Sequence, residues 1–175
     1  DGDQLGLFVY ANTIEYSDLY TWFDETTYKT DVNAEHSFTV NGLSVMNSGP
    51  DSPVTAAPAN ATVTVYDENG NVAEALGTKT DENGQFKVTF PKDGKYTIEV
   101  SGTCTYTCSG YGGSGMNTYK DATVVPTRCT VLVGTARGTL GDINGDGVID
   151  LTDAAQLLGK VTAGEKVDTY LGDIN

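Results

Sequence analysis

Ala61-Thr62-Val63-Thr64-Val65-Tyr66 alternates apolar and polar side chains without a break. Gln85-Phe86-Lys87-Val88-Thr89-Phe90 and Lys95-Tyr96-Thr97-Ile98-Glu99-Val100 repeat the pattern. Successive side chains of a strand point to opposite faces, so this period of two predicts three short strands, each with one buried face. Asp67-Glu68-Asn69-Gly70 and Asp81-Glu82-Asn83-Gly84 fall between them, and Asn-Gly supplies the positive φ that a hairpin turn requires. Pro91-Lys92-Asp93-Gly94 is a third turn. Short strands joined by regular turns predict an antiparallel β-sandwich.

Working outward, residues 5–11 read as a first strand and residues 37–46 as another, with Phe38 and Val40 on one face. Ile14, Tyr16, Tyr20 and Trp22 are evenly spaced and share one face of an extended segment. The polar residues 24–35 read as a long loop, and residues 47–60, with three prolines, as an internal connection. Residues 128–134 read as the last strand. Gly110, Gly112 and Gly115 match G-x-G-x-x-G, but a strand-like stretch follows where a dinucleotide site needs a helix. Cys104 and Cys108 lie on one side of an extended stretch, and either could pair with Cys129 on a neighbouring strand, leaving one thiol. His36 reads as a surface residue at a strand start.

The 175 residues suit one ordinary domain plus a small appendage, and 38% hydrophobic residues suffice for a core. A net charge of −14 repels nucleic-acid phosphates and anionic membranes, so neither is an expected partner. No apolar run approaches membrane-spanning length, so no membrane insertion is expected. The polar start Asp1-Gly2-Asp3 is consistent with a mature or trimmed chain.

Thr80-Asp81-Glu82-Asn83-Gly84-Gln85-Phe86 followed by Pro91-Lys92-Asp93-Gly94-Lys95-Tyr96 resembles bacterial Ig-like or prealbumin-like modules. The resemblance covers about a third of the domain, implies a β-sandwich over 1–135, and says little of function.

From Leu140 the composition changes. Asp142, Asn144, Asp146, Asp150 and Asp153 place oxygen-bearing side chains at positions 1, 3, 5, 9 and 12 of a loop, with Gly147 at position 6. Ca²⁺ is a hard cation that takes six to eight oxygens, and the Val148 carbonyl at position 7 would add a backbone ligand. Residues 153–161 then carry Ala154, Ala155, Leu157, Leu158 and Val161, a pattern that predicts a short helix burying one face. The string Leu-Gly-Asp-Ile-Asn stands at 140–144 and again at 171–175. Loop, helix and repeat together resemble the first repeat of a dockerin, a secreted bacterial calcium module that binds cohesin domains in cellulosome-like assemblies. The resemblance implies a partial dockerin over 140–175, with Leu151 and Thr152 at the cohesin-recognition place. Asp173 and Asn175 would open a second loop that this chain does not complete, so a longer parent protein is expected.

Other chemistry finds little footing. A glycosidase needs two carboxyls across a cleft, and Glu15, Asp18, Asp24 and Glu25 are explained as well by solvated strand edges. Tyr16, Tyr20 and Trp22 could instead stack on sugar rings. The expectation is a non-catalytic, secreted module of a bacterial assembly. It would bear a sandwich touching a calcium module and would be recruited to a cohesin. The alternatives are a carbohydrate-binding module joined to a dockerin, with polysaccharide as partner, and a part of a polysaccharide-degrading enzyme whose catalytic domain is elsewhere.

Overall fold

A computed structural model describes residues 18–44, 55–109, 115–134, 138–145, 148–165 and 171–172. The chain is mainly β. Its strands are β1 (Leu19–Phe23), β2 (Thr27–Thr30), β3 (Glu35–Ser44), β4 (Thr55–Ala56), β5 (Thr62–Tyr66), β6 (Thr78–Lys79), β7 (Gln85–Thr89), β8 (Gly94–Ser101), β9 (Thr103–Ser109), β10 (Met116–Val125) and β11 (Thr127–Val133). One helix, α1 (Leu151–Ala163), follows. The strand expected at residues 5–11, together with Ile14 and Tyr16, lies outside the described residues.

The strands form two sheets. The first has the order β4-β3-β1-β10-β9, with β7 also paired to β3; the second runs β2-β11-β8-β5-β6. The alternating stretches behave as their period dictates. Phe86 and Val88 of β7, Tyr96, Ile98 and Val100 of β8, and Val63 and Val65 of β5 all point into one core. Leu19, Phe38, Val40, Val124, Val131 and Val133 complete it from both sheets. Fully burying each such side chain contributes about 2 kcal/mol.

Both Asp-Glu-Asn-Gly stretches are tight turns, but only the first folds the chain back on itself, with Tyr66 bridging Val72; the second, expected as a hairpin, carries the chain from β6 in the second sheet to β7 in the first. Asp67 Oδ1 accepts the Asn69 and Asn71 N–H groups at 3.0 and 2.8 Å; Asp81 Oδ1 accepts those of Asn83 and Gln85, both at 2.8 Å. Gly84 has φ +73°, and a Cβ there would come within 2.5 Å of the Val40 carbonyl, so the position admits only glycine. Past β4 the chain reaches the far edge of the same sheet. Ala59 and Thr105 exchange backbone hydrogen bonds of 2.9 and 2.8 Å, which covers the outer edge of β9.

Four expectations are corrected. The stretch 24–35 is not all loop: β2 pairs in parallel with β11, Thr27 opposite Thr130 through Thr30 opposite Val133. As an edge strand with solvent on one face, it needs little apolar content. Cys129 cannot meet Cys104 or Cys108 on a neighbouring strand, because β9 and β11 belong to different sheets. All three side chains are buried thiols. His36 is half-buried rather than superficial, its ring 4.7 Å from that of Phe38 and 5.6 Å from that of Tyr28. Finally, α1 forms as its pattern predicts, but the apolar face expected to be buried is not: Asp153 is its one buried residue, and it has no extended packing on any strand among the described residues. No helix among these residues is long and apolar enough to cross a membrane.

Two outcomes test this interior. Burial pushes the Cys104 and Cys129 thiols up to about 12. A thiol reagent at pH 8 will therefore leave the native chain unlabelled for hours and modify all three cysteines once urea unfolds it; rapid labelling of the native chain would contradict the fold. Desolvation holds His36 below its ordinary pKa of 6.5. As the pH falls, the unfolded chain takes up that proton first. The neutral ring's contribution is complete above about 6.5 and is lost as the pH falls through the lower folded value. Urea midpoints measured from pH 7.5 to 5 will decline, and His36→Gln will remove the part of that decline due to the single histidine.

Candidate calcium-binding loop

Glycine and aspartate shape the segment leading into α1. Asp142 N–H donates to the Thr139 carbonyl at 3.0 Å, and Gly141 N–H donates to that of Leu171 at 2.8 Å, which ties the loop entrance to the chain beyond the helix. Asp142 Oδ1 then accepts the Gly145 N–H at 2.8 Å. At the other end Asp150, extended at φ −146°, is the N-cap of α1 and accepts the Thr152 N–H at 2.7 Å. The helix closes at Gly164, whose φ of 69° lets its N–H reach the Lys160 and Val161 carbonyls.

Asp153 joins the two ends of the loop. Its Oδ2 accepts the Asp150 N–H at 2.9 Å, completing a reciprocal capping box. Its Oδ1 accepts the N–H groups of Ile143 at 2.7 Å and Asn144 at 3.1 Å. The Asp150 N–H does most to hold the Asp153 carboxyl below the usual carboxylate range; desolvation opposes it, and the Asn144 and Ile143 donors add to it. Asn144 Nδ2 reaches Thr152 Oγ1 at 3.3 Å. Asn144, Asp150 and Asp153 are thus drawn into one hydrogen-bonded unit, while Asp142 is tied to Gly145; Asp142 and Asp153 are buried.

Asp146 lies outside the described residues, as do Asp173 and Asn175 of the second, partial loop. Among the described residues no three His, Cys, Asp or Glu side chains gather closely enough to hold a metal. The polar side chains described at these loop positions are carboxylates and one amide, with no thiolate or imidazole, a donor chemistry that suits a hard divalent cation such as Ca²⁺ rather than zinc. Thr152, expected at a partner contact, is exposed and bonds Asp150 through its N–H and its hydroxyl. Leu151 is 87% exposed, and Ile149, Leu158 and Val161 are exposed as well.

The aromatic residues lie on the first sheet, in a different part of the chain. Leu19, Thr21 and Phe23 of β1 are buried, while Tyr20 and Trp22 are half-buried on the outer face. Their ring centroids are 5.9 Å apart with planes inclined by 28°. Tyr16 lies outside the described residues. Asn41, which sequence reasoning did not single out, stands opposite Trp22 on β3, and its Nδ2 donates to Asp24 Oδ1 at 2.6 Å. Only the register of β1 on β3 brings these residues together.

No protein-family model matches the chain, and no curated protein matches it either. Among solved structures it is similar to the N-terminal four Ig domains of Dscam1, isoforms 7.44 and 6.9, at 13% and 14% identity. Each match covers 67% of this chain and 21% of the other, at a TM-score of 0.29. The chain therefore spans about a fifth of the length of those structures, and likeness at that level assigns neither fold family nor function.

The helix start is testable alone. Asp150→Ala removes the N-cap acceptor and should cost about 1 kcal/mol of helix stability. Amide exchange will quicken at Thr152 and Asp153 and stay unchanged along β8; uniform quickening throughout would contradict a local cap.

Proposed function

We propose that residues 142–153 form a calcium loop of dockerin type. On this reading the chain is a non-catalytic module of a secreted bacterial assembly, with an Ig-like or prealbumin-like sandwich over 1–135 carrying a partial dockerin over 140–175. The observation that carries the proposal is the Asp153 carboxylate, which gathers the backbone of Ile143, Asn144 and Asp150 and so closes the loop on the helix.

Asp142, Asn144, Asp150 and Asp153 would supply side-chain oxygens, Asp146 a further one, and Val148 its backbone carbonyl. A bound Ca²⁺ would neutralise the concentrated negative charge of the loop. The chain itself does the positioning. Gly145 N–H orients Asp142, and the capping box fixes Asp150 and Asp153 against the first turn of α1. The exposed apolar side chains Ile149, Leu151, Leu158 and Val161 then offer a surface for a cohesin. The chain would be recruited through that surface.

Isothermal titration of the chain with CaCl₂ will give saturable binding, with Kd on the order of 10⁻⁵ M or tighter, and Asp142→Ala will abolish it. Absence of binding heat, together with identical circular dichroism in calcium and in chelator, would remove the metal reading. Retention of the chain on immobilised cohesins in calcium, lost in chelator, tests recruitment; retention by none of them would sink that part and leave the calcium site standing.

A further inference from the structure

We infer that the outer face of the first sheet, centred on Tyr20, Trp22 and Asn41, binds a neutral polysaccharide chain. Three features of this face converge on that ligand. Tyr20 and Trp22 present two adjacent rings on the outward side of β1, which itself lies between β3 and β10. Flat aromatic faces pack against the C–H surface of a sugar ring, while their polar edges reach its hydroxyls. Being held on a central strand, the pair loses little freedom on binding.

Beside the rings the surface turns polar. Asn41 faces Trp22 across the strand pair and is held by Asp24. It also lines a cleft of about 370 Å³ together with Thr55, Asn83 and Thr107. Amides and hydroxyls are donors and acceptors matched to sugar hydroxyls. Among the described residues the cleft wall contains no ionisable side chain, the Asp24 carboxylate that holds Asn41 lying outside it, although the chain as a whole carries a net charge of −14. An uncharged cleft in so acidic a protein suits an uncharged ligand. The overall charge repels uronic-acid polymers and nucleic acids, so stacking here is not a nucleobase site. An aromatic pair followed by a polar cleft, with Asn41 shared between them, fits a chain of successive sugar units better than a single sugar.

The site does not use the calcium loop, and the two can be tested apart. Trp22 is the only tryptophan, so intrinsic fluorescence reports on the site directly. Titration with barley β-glucan, xyloglucan or galactomannan will shift the Trp22 emission for at least one of them, and that polymer will retard the chain in native affinity gels. Tyr20→Ala and Asn41→Ala will each weaken the retardation about tenfold, with thermal unfolding of Asn41→Ala unchanged to show that the fold survives. Chelator will leave binding intact, whatever the fate of the calcium reading. Three results would overturn the proposal: no emission shift and no retardation with any of the three polymers, tighter retention by polygalacturonate than by all of them, or loss of binding in chelator.

Discussion

Phe38 lies almost parallel to Phe86, 5.1 Å away, while Tyr28 meets its ring edge-on at 5.0 Å and Phe90 does so at 6.4 Å. Phe38 and Phe86 belong to the first sheet and Tyr28 to the second, so this one cluster fastens the sheets together. Offset-stacked and edge-to-face aromatic pairs add about 1 kcal/mol each beyond the area they bury. The cluster also fixes register. A slip of β3 by one residue would turn Phe38 and Val40 to solvent and would carry Asn41 away from Trp22. The position of the aromatic face outside therefore depends on the aromatic packing inside.

The fold was legible wherever local pattern and burial agree. Residues 62–66, 85–89 and 94–101 alternate because each strand has one wet face and one dry face, and the Asp-Glu-Asn-Gly turns announce themselves by the glycine they need. The parallel pairings were not legible. Thr27-Tyr28-Lys29-Thr30 has no apolar alternation, since only Tyr28 and Thr30 turn inward, and its partner β11 lies a hundred residues away in sequence. The cysteines illustrate the same limit. Their face of the strand could be read from spacing, but which strand they would meet is a property of sheet order.

The proposed calcium loop divides in a similar way. The spacing of oxygen-bearing side chains from Asp142 to Asp153 could be read directly, because it belongs to the local sequence. The work of Asp153 could not, since a carboxylate at position 12 can serve a metal, a helix cap and the backbone of the loop entrance together, and only the bonds to Ile143, Asn144 and Asp150 reveal the last two. Likewise the spacing of Leu157, Leu158 and Val161 specifies a helix with an apolar stripe. It does not specify that this chain covers the stripe. Among the described residues Leu158 and Val161 stay exposed, so the spacing records helix formation and not burial.

The parallel ladder between β2 and β11 has a mechanical meaning. Thr27 stands opposite Thr130 and Thr30 opposite Val133, so the chain arriving at β2 and the chain departing from β11 leave the pair at opposite ends. Tension along the polypeptide then acts parallel to the strands. The slanted bonds of a parallel pair share that load as a set, whereas a hairpin pulled from its open end would give way one bond at a time. β1 beside β10 repeats the arrangement in the first sheet, with Leu19 opposite Val124 and Tyr20 opposite Val125. A pull on the outward ends of either pair would therefore load its ladder in shear.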